Sequence, residues 1–260
     1  MVLTEINNQK SQLMKKLNLI QKLTSLLVLV AVVVSCKKEY QSIAPVVTDL
    51  SNKANVKFYN GIVNSNRTYI YAELVPLNGA TVAYGGVFPA LSPSYTVLNP
   101  GSVNLVMRDT LVPTTQVPLN FFAELEKGKY YTVFAYDSLN SPKRKVVLDK
   151  IEQFGDTTAR IRFANFPFSS AAIPNVDVYS AKRKQNIFTN ISTTTVTDFI
   201  PYASAVSDTL FVRATGTTTD LTQLNGLLPT AKRSYTVIFR GSYRVTSGTA
   251  ARTLTSFLTF

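Results

Sequence analysis

Three stretches of this 260-residue chain recur at one spacing, and that recurrence limits what the chain can fold into more than any other feature. Ala54-Asn55-Val56-Lys57-Phe58-Tyr59-Asn60 returns as Ala159-Arg160-Ile161-Arg162-Phe163-Ala164-Asn165, 105 residues later. Leu105-Val106-Met107-Arg108 returns at the same offset as Leu210-Phe211-Val212-Arg213. Tyr130-Tyr131-Thr132-Val133-Phe134 returns as Ser234-Tyr235-Thr236-Val237-Ile238, one residue closer. A shared register with a single-residue slip marks a duplication. Units of about 100 residues are domain-sized, whereas solenoid repeats run to about 20–50.

Within each unit the period is that of strands. Val56 and Phe58, and again Ile161 and Phe163, alternate with Lys57 or Arg162, which predicts one buried and one wet face. Asn175 to Tyr179 alternates in the same way, answered in the first unit by Tyr69-Ile70-Tyr71-Ala72. Thr194–Ile200 and Thr209–Ala214 are further β-branched and aromatic runs, with Gly and Pro as punctuation at Gly85-Gly86, Asn99-Pro100-Gly101, Gly128, Pro201 and Gly216. No stretch after the first 35 residues sustains a helical stripe, and Leu221–Leu228 allows one helical turn at most. The pattern predicts an all-β chain of two tandem immunoglobulin-like antiparallel β-sandwich domains, 54–155 and 156–260, end to end across a short join near Phe154–Thr158.

The leader predicts an address. Lys15, Lys16 and Lys22 precede the uncharged run Leu23–Ser35, which is shorter than the roughly 20 residues of a membrane span. The run ends Val33-Val34-Ser35-Cys36, which resembles the bacterial lipobox. That resemblance implies a lipoprotein signal peptide over 1–35, with Met14 the natural start, and lipidation of Cys36, the chain's only cysteine. Several acyl chains on one residue hold firmly where a single chain does not. Residues 36–53 then read as the lipidated cysteine and a flexible tether. Without Asp beside Cys36, the expected location is the outer membrane of a Gram-negative envelope.

The set Ala-x-[Val/Ile]-[Lys/Arg]-Phe-x-Asn, Val176-Asp177-Val178-Tyr179 and Tyr-Thr-Val resembles the bacterial envelope domain known as domain of unknown function 4397 (DUF4397), often tandem in lipoproteins. The second unit carries the resemblance better, because Tyr69-Ile70-Tyr71-Ala72 stands in the first for Val-Asp-Val-Tyr. The resemblance implies a fold rather than an activity.

Chemistry is narrowed by what is missing. The chain has no His, no Trp and one Cys, which removes imidazole-based triads and bases, His-ligated zinc, thiolate cages and internal disulfides. Only carboxylate pairs remain for catalysis, and most acids fall at turns (Asp109, Asp137, Asp149, Asp156, Asp208), with Asp177 facing outward on its strand. The expectation is therefore no enzyme, no catalytic residue, no cofactor and no metal. Without residues 1–35 the chain keeps 23 basic and 14 acidic residues, net +9. Its basic runs Lys143-Arg144-Lys145 and Lys182-Arg183-Lys184 read as solvated hairpin loops, with no motif for nucleic acid. Asn60 and Asn165 read as strand-end caps, and Tyr131 and Tyr235 as packed rings whose hydroxyls find backbone partners. Tyr69 and Tyr71, on one face opposite Ile70, are the candidate surface-binding residues; Phe121-Phe122 and Tyr130-Tyr131 must each send one ring outward. The terminal strand Thr253–Phe260 is expected to tuck into the second sandwich. The expected partners are the membrane, through Cys36, and a polysaccharide or envelope protein. Non-catalytic binding or adhesion leads, with a structural spacer of an envelope assembly and a carboxylate-based polysaccharide-acting enzyme as alternatives.

Overall fold

The computed structural model describes residues 49–90, 93–111, 114–151 and 155–260, together with Met14; the rest of the expected signal peptide, Cys36 and most of the expected tether lie outside the described residues. The first repeat forms β1 (Ala54–Val63), β2 (Thr68–Ala72), β3 (Val75–Pro76), β4 (Val87–Phe88), β5 (Thr96–Leu98), β6 (Gly101–Asp109), β7 (Leu119–Leu125), β8 (Tyr130–Ser138) and β9 (Ser141–Leu148). The second forms β10 (Ala159–Phe168), β11 (Val176–Ser180), β12 (Gln185–Ile191), β13 (Ile200–Tyr202), β14 (Asp208–Ala214), β15 (Asp220–Leu227), β16 (Ser234–Ser242) and β17 (Thr253–Leu258). From Asp49 onward the described residues are all-β, and Leu221–Leu228 contributes to strand β15 rather than to a helical turn. Its register against β14 slips twice, and such irregularity blurs a period of two.

The two repeats share one topology. In the first, sheet β4-β1-β8-β9, with β5 also on β1, packs against sheet β3-β2-β6-β7. In the second, β13-β10-β16-β17 packs against β12-β11-β14-β15. Each pair encloses a core, built on Val56, Phe58, Leu105 and Val133 in one repeat and on Ile161, Phe163, Leu210 and Val237 in the other. Most ladders are antiparallel, but β1 runs parallel to β8, and β10 to β16, each over nine residue pairs.

The repeats do not sit end to end. A third core joins them face to face: Tyr59 and Phe134 of the first meet Ala164, Phe166 and Ile238 of the second. Tyr59 stacks on Phe257 with centroids 5.5 Å apart, and Phe134 on Phe166 at 5.1 Å. The sheets therefore stack in four layers, and β1 and β10 are buried on both faces. This overturns the wet face expected of Lys57 and Arg162, which are 1% and 2% exposed. Alternation correctly separated two faces, but the polar face is covered by the other repeat.

The contact between the repeats is reciprocal. β8 pairs Tyr131 with Leu148, and β16 pairs Tyr235 with Leu258, so Asp149 of the first repeat corresponds to Thr259 of the second. Lys57 donates to the carbonyls of Leu258 and Thr259 at 3.1 and 2.9 Å. Its counterpart Arg162 reaches Asp149, with Nη1 2.7 Å from Oδ1 though off the hydrogen-bond line. Position i meeting j while j meets i is the signature of an isologous, two-fold interface, here realised within one chain.

Candidate functional site

Strand alternation and the covered inner faces leave the outer faces of the two outer sheets for recognition. On β2 the side chains of Thr68, Ile70 and Ala72 are buried, so Tyr69 and Tyr71 share the outer face, half-buried. Register puts Tyr69 opposite Arg108 and Tyr71 opposite Val106 on β6; Val106 in turn faces Asn120 on β7, where Phe122 faces Asn104. The Arg108 guanidinium lies 4.8 Å from the Tyr71 ring centroid. Phe122 is 66% exposed while Phe121 is core, the division expected of that dipeptide.

The second repeat builds the same feature. Tyr179 takes the place of Tyr71, and Arg213, the counterpart of Arg108, lies 4.0 Å from its ring and 5.7 Å from that of Phe211. Arg213 is held from the far side by Asp220, Nε to Oδ1 at 2.6 Å. A planar cation stacked on a ring at an exposed site contributes about 0.5–1 kcal/mol and keeps both groups flat. Each face thus presents a rigid aromatic-guanidinium platform that can stack on a flat apolar surface and donate hydrogen bonds around it. Sequence reasoning placed Tyr69 and Tyr71 on one face and did not single out Arg108 or Arg213. The readable signal was that Arg108 and Arg213 hold the same place in the repeated Leu-x-x-Arg run.

The carboxylates are committed to structure. Asp177 is 5% exposed, not solvated as expected: Oδ1 accepts from the Asn190 N–H at 2.8 Å and the Thr215 hydroxyl at 3.0 Å, and Oδ2 from Asn186 Nδ2 at 3.1 Å. These bonds clamp the irregular β11–β12 ladder, which covers the side chain although it lies on the outer face. Asp208 accepts from Ser180 at 2.5 Å, from the Lys182 N–H at 2.9 Å and from the Tyr202 hydroxyl. Burial opposes ionisation of Asp208, but those bonds outweigh it and hold the carboxyl below its ordinary range. Burial, then the bond to Asp208, pushes Tyr202 up to about 12.

Asp149 is the most enclosed of the three. It takes hydrogen bonds from Thr132 at 2.6 Å and Tyr95 at 3.1 Å besides the Arg162 charge. Arg162 also donates to Thr236 at 2.8 Å and Thr132 at 3.3 Å, and Thr236 and Thr259 share a hydrogen bond of 2.7 Å. Burial foremost, with Arg162 adding, lowers Lys57 to about 8, against the opposing pull of Asp149. Among the described residues, no three His, Cys, Asp or Glu side chains come together as metal ligands.

The other singled-out residues are structural. Asn60 lies inside β1, not at its end, and its amide donates to Ser65 O, Thr68 Oγ1 and Val82 O, each at 3.0 Å. Asn165 donates to Ile191 O at 2.9 Å. The Tyr131 and Tyr235 hydroxyls accept the N–H groups of Glu126 and Thr230, five residues upstream in both repeats. Lys143-Arg144-Lys145 lies on strand β9 rather than in a loop, with Lys143 2.7 Å from Asp137 and Arg144 over Phe121. Lys182-Arg183-Lys184 does form a hairpin turn.

Residues 54–179 match the family model described as Domain of unknown function (DUF4397). The span covers the whole first repeat, where the motif is less complete, and ends at Tyr179 in the Val-Asp-Val-Tyr strand of the second. No curated protein matches the chain.

Proposed function

Residues 54–179 belong to the DUF4397 family, and from that premise we propose that the protein is a non-catalytic binding module, anchored by lipid on Cys36 and recognising envelope or extracellular polysaccharide through its two outer sheets. The observation that carries this reading is the arginine-stacked tyrosine kept on both outer faces, Tyr71 with Arg108 and Tyr179 with Arg213. Flat aromatic rings offer a sugar a stacking surface, and the neighbouring guanidinium offers donors for its hydroxyls. Because the four layers set the two platforms on opposite sides of the stack, one molecule engages two chain segments and gains avidity.

The test is co-sedimentation of the chain with purified envelope polysaccharide, using Tyr71→Ala, Tyr179→Ala and the double variant. The expected result is weakening in each single variant and loss in the double. Equal binding by the double variant would refute the platforms. The anchor is tested separately: Cys36→Ser should release the protein from the membrane fraction and remove the lipid mass. Protease shaving of intact cells then reports which side of the outer membrane the sandwiches occupy. Co-purification of an envelope protein, with no polysaccharide signal, would favour the spacer.

A further inference from the structure

We propose that the first repeat holds a site for a neutral sugar residue in the polar cavity at one end of its sandwich, between the Asn64–Arg67 turn after β1 and the Thr114–Gln116 segment before β7. The cavity is about 390 Å³, within the range of small-molecule sites. Among the described residues its lining consists of amides (Asn64, Asn66, Gln116), hydroxyls (Ser65, Thr114, Thr115), one ion pair (Arg67 with Asp109) and a single apolar side chain, Leu139.

Gln116 points to an occupant. It is 5% exposed, its Oε1 accepts from the Ser65 hydroxyl at 2.9 Å, and its buried Nε2 has no partner. A buried amide donor left unpaired is rare, and a ligand hydroxyl is a group that would satisfy it. The wall around it is prearranged: Ser65 and Thr68 share a hydrogen bond of 2.7 Å, and Asn60 ties both of these residues to β1. A supporting shell of this kind holds recognition groups in place before the ligand arrives.

The lining also selects the ligand. The charge of Arg67 is met by Asp109 at 2.9 Å, so the site offers no net positive charge to a phosphate or carboxylate. Its described lining is mostly polar and matches an acyl chain poorly. Amides and hydroxyls that both donate and accept suit a ring of hydroxyl groups. The second repeat lacks the equipment, having Ser169, Ser170, Ala171 and Ala172 at the equivalent positions and Ala214 in place of Asp109. The site therefore belongs to one repeat and stands independently of the paired platforms.

Saturation-transfer NMR on the full chain in detergent, with glucose, galactose, mannose, rhamnose and N-acetylglucosamine as separate probes and inorganic phosphate as control, tests the proposal. Transfer is expected to at least one sugar and not to phosphate. Read in the Tyr71→Ala/Tyr179→Ala background, where the platforms contribute nothing, Gln116→Met and Asn66→Ala should each weaken the remaining transfer about tenfold. Asn66 sits on a turn, so Asn66→Ala decides the matter should Gln116→Met disturb folding. Absence of transfer from every sugar would leave Gln116 satisfied by water and overturn the site. Transfer that survives Asn66→Ala but is lost in the tyrosine variants would overturn the cavity while upholding the platforms.

Discussion

Arg162 and Asp149 carry opposite charges in a space closed to water, and such a pair is costly to break and cheap to replace. Removing one partner strands the other, at about 3–5 kcal/mol, whereas exchanging both for apolar groups of similar volume is often neutral. Asp149→Ala is therefore expected to lower unfolding stability by about that amount, and Asp149→Leu with Arg162→Met to recover most of it. Urea denaturation of the three chains measures this, and a double variant no better than the single one counts against it. Lys57 makes a pH prediction. Because its folded pKa of about 8 lies below the ordinary value near 10.4, the unfolded chain binds the extra proton between those limits, and stability rises with pH there. Above about pH 10 the raised Tyr59, Tyr95 and Tyr202 act the other way, since the unfolded chain then ionises first. Stability should climb from pH 8 to about 10 and then fall, and Lys57→Met should remove the climb. A wild-type profile flat over that window would refute the assignment. The repeats were legible enough to show a cation at 57 and 162 in both copies, yet alternation alone cannot tell a solvated face from one covered by a second sheet.

At the level of elements, backbone geometry sets which glycines are replaceable. Gly241, on β16, has φ +96°, and a Cβ there would lie 2.1 Å from the Ala251 carbonyl oxygen. Gly101, at the start of β6, has φ +107° but open space around it. Left-handed strain alone costs about 1–3 kcal/mol, so Gly101→Ala should lose that much and Gly241→Ala clearly more, because the backbone must also move. Thermal melts of the two variants give the ranking, and equal losses would mean the clash relaxes freely. Strand β17 pairs along β16 from Arg240 to Tyr235, and the carbonyls at its end receive Lys57. Deleting residues 253–260 should abolish folding of the second repeat, seen as loss of its dispersed amide signals in NMR. Strand positions were readable where alternation was strict, as in β2, β7 and β14. They were obscured in β15 by register slips, and β9 hid behind its lysines and arginine.

For the whole molecule, the decisive quantity is the core between the repeats. Tyr59, Phe134, Phe166 and Ile238 are buried there, and each large side chain contributes about 1.5–3 kcal/mol. Together that matches the stability of an ordinary domain, about 5–15 kcal/mol, so neither repeat is expected to melt alone. Calorimetry should show one transition, and a lesion such as Phe134→Ala should shift it as a unit. Two resolved transitions, only one of them moved by Phe134→Ala, would show that the repeats are energetically separate. The reciprocal packing also explains why the outer sheets, rather than the inner ones, are left to meet a partner.

What the amino-acid sequence determined by itself was local and periodic: the duplication, the strand alternation, the resemblance to DUF4397, the packed Tyr131 and Tyr235, and the shared face of Tyr69 and Tyr71. These are properties of spacing, and spacing survives in one dimension. Tertiary structure alone decided that the polar faces of β1 and β10 close on each other, that Asp177 and Asp149 are buried, and that β1 and β8 run parallel. It also brought Gln116 to Ser65 across 51 residues of chain to wall a cavity. Each of these depends on which distant strand arrives opposite, and a polar side chain on a strand carries no mark of whether water or another sheet will meet it.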